Sequence, residues 1–324
     1  MAPSPTSLPV WTSNSPLLLL AGPTAVGKSE VALHLAGRLN GEIISVDSMQ
    51  VYRGLDIGTA KPSLAERARV PHHLLDILDL TAGFDAARFV EASRAAIADI
   101  QNRGRLPILC GGTGLYFKAL LEGLGQAPPA DPVLRAELGQ IPLPTLLAEL
   151  AAADPTTYER IDRQNPRRIV RAVEVIRLTG RPFSEQRASW VPGLSTDHHP
   201  SSLNHFFFGI SRPIAELNRR IEARVDSMFH LGLVAETEQL VKRGLAENPT
   251  ASQALGYRQV LEHFRGVRPL PETIELVKIR TRQFAKRQRI WFHRQLRLNW
   301  IHLEENAISD GVAALIESEF RQRK

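Results

Sequence analysis

The chain has 324 residues, of which 43% are hydrophobic and 23% charged, enough for a large domain with an elaboration. No stretch approaches the roughly 18 apolar residues that a membrane-spanning helix needs. The Pro- and Ser-rich residues 1–16 lack the pattern of a signal peptide. A single cysteine, Cys110, excludes an intramolecular disulfide and a cysteine-rich zinc site. We therefore expect a cytoplasmic protein with a flexible tail over 1–16, whose net charge of +6 is by itself weak evidence for a polyanionic partner.

Short apolar runs typical of buried strands alternate with helical patterns along the chain. The strand-like runs are Leu17–Ala21, Glu42–Val46, Leu106–Cys110 and, after a long interval, Phe206–Ile210. The helical patterns between the first three runs are Ser29–Leu39 and Phe89–Asn102. Strands separated by helices pair in parallel, so this order predicts an α/β sheet covered by helices on both faces.

The segment 123–202 has a different character, with alanine-rich and arginine-rich helical patterns and no clear strand. Its best-marked helix has Asn165 as a suitable cap, Pro166 at the first helical position and Gly180 where the chain should leave. We expect a helical insertion domain over 123–202. The residues 17–122 and 203–315 would then form an α/β core with C-terminal helices.

The sequence between the first strand and the first helix fits G-x-x-x-x-G-K-[ST], a phosphate-binding loop. We call it the P-loop, and it consists of Gly22, Pro23, Thr24, Ala25, Val26, Gly27, Lys28 and Ser29. Glycines let backbone N–H groups turn toward an anion, and Lys28 adds a positive charge. The Ser29 hydroxyl is suited to holding Mg²⁺, and the following helix presents its positive dipole end. The pattern predicts a phosphate or diphosphate site.

Polar and flexible residues follow the second and third strands, at the edge of the sheet where open α/β folds bind ligands. Asp47 follows the second strand and is a candidate general base or indirect Mg²⁺ ligand, with a helix cap or surface turn as the alternative. Gly111-Gly112-Thr113 follows the third strand and fits either ligand contact or a tight turn. The adjacent His72 and His73 fit hydrogen-bonded polar histidines or loop histidines better than a metal site.

The stretch from Lys278 to Arg297 contains eight Lys and Arg residues, no Asp or Glu, and the aromatic Trp291 and Phe292. A solvated face is an equal alternative, but an uncompensated basic helix with aromatics suits RNA. The insertion carries a second basic group, which comprises Arg167, Arg168 and Arg171. Two basic patches around one phosphate site favour a large nucleic-acid substrate over a free nucleotide.

Several motifs together resemble the bacterial tRNA dimethylallyltransferases, the IPP transferase family. They are the P-loop, Asp47 with Asp56–Pro62, Gly111–Thr113 with Leu115-Tyr116, Asn165–Arg168, Gly256–Gln259 and Thr281–Gln288. The resemblance extends over about 17–300 and implies a P-loop NTPase-like parallel sheet flanked by helices, with a helical insertion domain. The activity it implies is transfer of a dimethylallyl group from its diphosphate to the exocyclic amine of the adenosine next to the anticodon, on its 3′ side.

The resemblance also implies residue roles. Asp47 would be the general base, the P-loop with Thr24 and Lys28 would hold the diphosphate, and Ser29 would hold Mg²⁺. Arg212, or less securely Arg220, would steady the diphosphate. The tRNA contacts implied by the resemblance are Asp47, Ser48, Met49, Gln50, Thr113, Arg135, Gln164, Asn165, Pro166, Arg167, Arg168, Gly256, Tyr257, Arg258, Thr281, Arg282, Gln283, Phe284, Ala285, Lys286, Arg287 and Gln288.

The implied partners are dimethylallyl diphosphate and the anticodon stem-loop of tRNA, bound by a monomer. Two alternatives remain open at this point. A P-loop kinase for a small metabolite would use Lys28, Ser29 and Mg²⁺ in a similar way. A non-enzymatic RNA-binding module with a vestigial P-loop would not need the intact Gly27-Lys28-Ser29 or Asp47.

Overall fold

The computed structural model describes residues 16–187, 205–305 and 307–323. The tail expected over 1–16 lies outside the described residues except for Pro16, and so do residues 188–202 of the expected insertion. Among the described residues, 16–121 and 205–323 form one compact unit, and 122–187 form a second.

The first unit is built on one six-stranded, entirely parallel sheet with the strand order β3-β2-β4-β1-β5-β6. Its strands are β1 (Leu17–Ala21), β2 (Gly41–Val46), β3 (His72–His73), β4 (Leu106–Gly111), β5 (His205–Ser211) and β6 (Asn299–His302). All four apolar runs are therefore strands, as expected. Leu17 and Leu19 belong to the core on one face of the sheet, and Leu18 and Leu20 to the core on the other. The unbroken run of leucines follows from this, because a strand buried on both faces needs no polar alternation.

Helices fill the intervals between and after the strands. They are α1 (Lys28–Leu39), α2 (Leu64–Arg69), α3 (Ala86–Asn102), α4 (Gly114–Glu122), α5 (Pro132–Leu138), α6 (Leu143–Ala153), α7 (Pro155–Arg160), α8 (Pro166–Thr179), α9 (Phe183–Gln186), α10 (Ile214–His230), α11 (Leu233–Val241), α12 (Tyr257–Phe264), α13 (Leu270–Gln295) and α14 (Ser309–Arg323). Helix α3 begins three residues before its apolar pattern because Asp85 caps it, accepting a hydrogen bond from the Arg88 N–H. No helix in the described part of the chain is long and apolar enough to cross a membrane.

Two short edge strands, β3 and β6, were not predicted, because neither has an apolar run. The histidines His72 and His73, which were expected in a loop, form β3 beside β2. The His73 ring nitrogen Nε2 lies 2.6 Å from a carboxylate oxygen of the buried Glu42. Within the described ranges no group of three or more His, Cys, Asp or Glu could hold a metal ion.

In the described part of the second unit the regular elements are the helices α5 to α9, with one isolated β-bridge between Gly125 and Arg187, and the unit has its own apolar core. That core contains Leu138, Leu146, Leu150, Ile169, Ala172 and Val173. Helix α8 has the expected boundaries. The Asn165 side chain accepts a hydrogen bond from the Arg168 N–H, and Gly180 ends the helix with φ +69°.

Candidate active site

A cavity of about 640 Å³ lies in the first unit where the carboxyl ends of three neighbouring strands converge. Thr24, Lys28 and Ser29 line it from the P-loop after β1, Asp47 from the turn after β2, and Thr113 from the turn after β4. Its lining also includes residues of α10, α12 and α13. Adjacent strands of the sheet therefore bring the three sequence motifs together, as the rule for ligand sites in open α/β sheets predicts.

The P-loop has the backbone shape of an anion site. Ala25 has φ +64° and Gly27 has φ +102°, and such left-handed residues turn successive N–H groups toward one side. Helix α1 begins at Lys28, so its positive dipole end faces the same region. The Lys28 ammonium donates a hydrogen bond to the Pro23 carbonyl oxygen at 3.2 Å. Burial lowers the pKa of Lys28, since removal from water disfavours its charge, and an anionic ligand would oppose that effect.

Asp47 both caps a turn and lines the cavity. Its Oδ1 accepts hydrogen bonds from the N–H groups of Met49 at 2.8 Å and Gln50 at 3.2 Å, so this carboxylate does cap a turn. Its Oδ2 has no hydrogen-bond donor among the residues that the structure describes, and Asp47 lines the cavity. The turn therefore orients the side chain through one oxygen and leaves the other able to accept a proton.

One of the arginines that line the cavity is Arg224 of α10, which the sequence analysis did not select. No hydrogen bond or ion pair to its guanidinium occurs within the described ranges. Burial lowers the pKa of Arg224, and the nearby Asp47 carboxylate partly offsets this. The sequence did contain a signal, which was spacing. Arg224 lies one helical turn after the candidate Arg220, and residues four apart share one face of a helix.

Arg212 and Arg220 do not line the cavity. The buried Arg212 donates through Nε to the Val26 carbonyl oxygen at 2.9 Å and pairs with Glu216 at 2.5 Å. Arg220 donates through Nε to the Ala25 carbonyl oxygen at 2.9 Å. Both side chains hold the P-loop backbone, and neither lines the cavity in which Arg212 was expected to steady the diphosphate.

Only one side of the basic stretch of α13 faces the cavity. Arg280, Thr281, Phe284, Arg287 and Gln288 line the cavity. The Arg287 guanidinium carbon lies 5.9 Å from the centre of the Phe284 ring, within cation–π range. These residues place positive charge and an aromatic face beside the cavity, as an RNA substrate would require.

Other members of the same stretch are committed elsewhere. Arg282 pairs with Glu222, and Lys278 pairs with Asp226 at 2.7 Å. Ala285 is 2% exposed and packs in the apolar core. Thr281–Gln288 thus does not face the cavity as one continuous surface. A helix turns 100° per residue, so only part of any stretch faces one side.

Tyr257 was expected to contact tRNA, but its side chain is fully buried. Its hydroxyl accepts a hydrogen bond from the Gly58 N–H at 3.0 Å and donates one to Glu236 at 2.5 Å. Burial raises the pKa of Tyr257. The side chain holds the Asp56–Pro62 loop through Gly58 and does not line the cavity, whereas its neighbour Arg258 does.

Gln50 is also engaged with protein. Its side-chain amide donates to the Thr59 carbonyl oxygen at 3.2 Å and accepts from the Ser45 hydroxyl at 2.8 Å. Its neighbours Ser48 and Met49 line the cavity. In the turn after Asp47, Ser48 and Met49 therefore face the cavity, whereas Gln50 holds neighbouring backbone and side chains.

The second unit presents its own basic residues. Arg135 and Arg171 both pair with the fully buried Glu174, at 2.9 and 2.6 Å. Burial alone would raise the pKa of Glu174, but hydrogen bonds from the two arginines outweigh it and lower that pKa. Arg167 and Arg168 follow the Asn165 cap and are exposed. Positive charge is thus available on this helical unit.

Comparison with known proteins identifies the family. The family model described as IPP transferase matches residues 50–295, more than half of the chain. A tRNA dimethylallyltransferase from Trichlorobacter lovleyi is 47% identical over 302 residues, covering 92% of this chain and 97% of the relative. The crystal structure of the tRNA isopentenylpyrophosphate transferase from Bacillus halodurans matches with a TM-score of 0.69 at 35% identity, covering 95% of this chain and 98% of that one.

A eukaryotic dimethylallyltransferase, described in a study of its action on tRNA, matches with a TM-score of 0.76 at 26% identity, covering 96% of this chain and 80% of that one. These relatives do not favour a small-molecule kinase. Transferases of this type are generally dependent on a divalent metal ion. The P-loop NTPase-like sheet, the convergent cavity and these matches agree, and the chain belongs to the IPP transferase family of tRNA-modifying prenyltransferases.

Proposed function

We propose that this protein transfers a dimethylallyl group from dimethylallyl diphosphate to the exocyclic amine of the adenosine on the 3′ side of the tRNA anticodon, releasing diphosphate. One observation carries the proposal: a single cavity joins the phosphate-binding Lys28 and Ser29, the carboxylate of Asp47 and the basic, aromatic side of α13. A kinase that phosphorylates a small metabolite would not need a basic, aromatic surface such as that side of α13.

The leaving group accounts for the P-loop side of the cavity. As the carbon–oxygen bond breaks, negative charge develops on the diphosphate, and the P-loop N–H groups, Lys28 and Arg224 stabilise it. The allylic carbon can carry positive charge, which favours a dissociative displacement. We assign Arg224 the direct contact because its guanidinium has no protein partner among the described residues, whereas Arg212 is fully engaged.

A divalent cation fits this donor set. Mg²⁺ usually keeps several waters and binds through one or two protein oxygens together with substrate phosphates. The Ser29 hydroxyl would hold it, with Asp47 able to contribute through a water, and both residues line the cavity. When bound, Mg²⁺ would neutralise charge on the diphosphate. Thr24 lies on the same wall and would contact the diphosphate.

The amine accounts for Asp47. An adenine exocyclic amine is a weak nucleophile and must lose a proton, which the free Oδ2 of Asp47 accepts. The target base must be unstacked to enter the cavity, and Phe284 with Arg287 supplies a face on which RNA can stack. Arg135, Arg167 and Arg168 of the second unit, with the cap region Gln164–Pro166, are proposed as additional tRNA contacts.

The test is incubation with Mg²⁺, dimethylallyl diphosphate and an unmodified tRNA, followed by mass measurement of the released nucleosides. We expect one dimethylallyl addition per tRNA at that adenosine. Asp47→Asn retains an oxygen to cap the turn but removes the base, so kcat should fall at least about 10²-fold while tRNA affinity changes only a few-fold. Turnover of ATP with a small acceptor, without prenylation, would contradict the proposal. Cytoplasmic location, a monomeric state and the domain boundaries stay predictions.

A further inference from the structure

Gln288 of α13 joins two of the backbone segments that build the cavity. Its Oε1 accepts a hydrogen bond from the Thr24 N–H of the P-loop at 2.9 Å. Its Nε2 donates to the carbonyl oxygen of Gly112, in the turn after β4, at 2.9 Å. The residue is only 8% exposed. Three elements distant in sequence are therefore tied by one side chain.

The surroundings are shaped for a carboxamide. Thr24 presents a donor and Gly112 an acceptor, so the side chain between them must both accept and donate, which glutamine does and glutamate or methionine does not. The partners also fix which end of the amide faces which segment. A Cβ added at Gly112 would lie 2.4 Å from the Gln288 Nε2, so any side chain there would displace the amide. Glycine at 112 and glutamine at 288 form a matched pair.

We infer that Gln288 is a positioning residue for the diphosphate, not a tRNA contact. It holds the Thr24 backbone, four residues before Lys28, and so sets the P-loop in the shape that the anion needs before the anion arrives. Pre-ordering of this kind strengthens binding because the loop's freedom is already lost in the free protein. This inference rests on the proposed function only in taking diphosphate as the P-loop ligand.

The test measures binding of inorganic diphosphate with Mg²⁺ by calorimetry, without turnover. Gln288→Met keeps the length of the side chain but loses both hydrogen bonds. We expect the Kd for diphosphate to rise about tenfold, a typical effect of removing hydrogen bonds that leave buried groups unpaired. The Kd for an anticodon hairpin should stay within about twofold, and in turnover the KM for dimethylallyl diphosphate should rise while the KM for tRNA does not.

Two further variants make the test specific. Gly112→Ala displaces the same amide from the other side and should weaken diphosphate binding in the same direction. Gln322→Met, on an exposed position of α14, is the matched control and should leave both affinities unchanged. Thermal unfolding of each variant verifies that it is folded.

Weakened hairpin binding with unchanged diphosphate binding in Gln288→Met would overturn the inference, and so would no change in either. A wild-type protein that binds diphosphate but does not prenylate tRNA would overturn the proposed function. If Gln288→Met still weakened diphosphate binding in that case, the positioning role would be supported independently.

Discussion

The P-loop and the basic stretch of α13 face the same cavity but differ in how directly their sequences indicate their roles. In the P-loop, consecutive residues act through their backbone, so Gly22–Ser29 behaves as one unit with the expected shape. In Lys278–Arg297, side chains act individually, and neighbours in sequence have unrelated roles. Arg287 lines the cavity, whereas Arg282 pairs with Glu222.

This difference shows that a backbone motif predicts the role of each of its residues. A charged stretch predicts only that some of its residues face a polyanion, and not which ones. Backbone N–H groups point where φ and ψ direct them, which is a local property. A guanidinium points to whichever carboxylate or carbonyl the rest of the fold brings near it. The same distinction explains why the sequence favoured Arg212 as the diphosphate arginine, although its side chain pairs with Glu216 and Arg224 lines the cavity.

The largest expected effect is on catalysis and comes from replacing Arg224 of α10, whose role the sequence did not indicate. Arg224→Gln should lower kcat/KM for dimethylallyl diphosphate about 10²-fold, the size typical of removing one charge-stabilising donor from a transition state. Arg219→Gln is the matched control, because Arg219 is exposed on the same helix and pairs with Glu305. Equal kcat/KM values for the two variants in steady-state kinetics would show that Arg224 is not the arginine that contacts the diphosphate.

A smaller effect tests whether the cavity-lining arginines of α13 bind RNA more strongly than its ion-paired arginines. Arg287→Ala should weaken binding of the anticodon hairpin by about 3- to 10-fold and make its salt dependence shallower by about one unit of slope. Arg282→Ala, whose guanidinium is already paired with Glu222, should change the affinity by less than about threefold. Fluorescence anisotropy across a salt series measures both. Identical losses would show that the stretch acts as one surface after all.

The smallest effect concerns the strand beneath the P-loop. Burial raises the pKa of the Cys110 thiol to about 11, and its sulfur lies 3.6 Å from the Lys28 carbonyl oxygen. At pH 8 the folded protein should therefore resist iodoacetamide, while the unfolded chain should be alkylated. Mass spectrometry before and after denaturation measures this. Rapid labelling of the native protein would mean that the P-loop is not packed on β4 as described.

The sequence by itself determined the local features of this protein. Four short apolar runs specified four buried strands, the glycines and Lys28 specified the P-loop, and Asn165 with Gly180 specified the limits of α8. Each of these depends on backbone geometry or on a repeating apolar pattern, and both are encoded by residues close together in the chain.

Only the tertiary structure decided which side chains face the cavity. It paired Arg212 with Glu216 and placed Arg224 at the cavity with no partner among the described residues. It buried Tyr257 and added the edge strand β6, which has no apolar run. It also directed Gln288 to the P-loop across 264 residues of sequence. Such contacts join distant segments, and their partners are selected by packing, which no local pattern records.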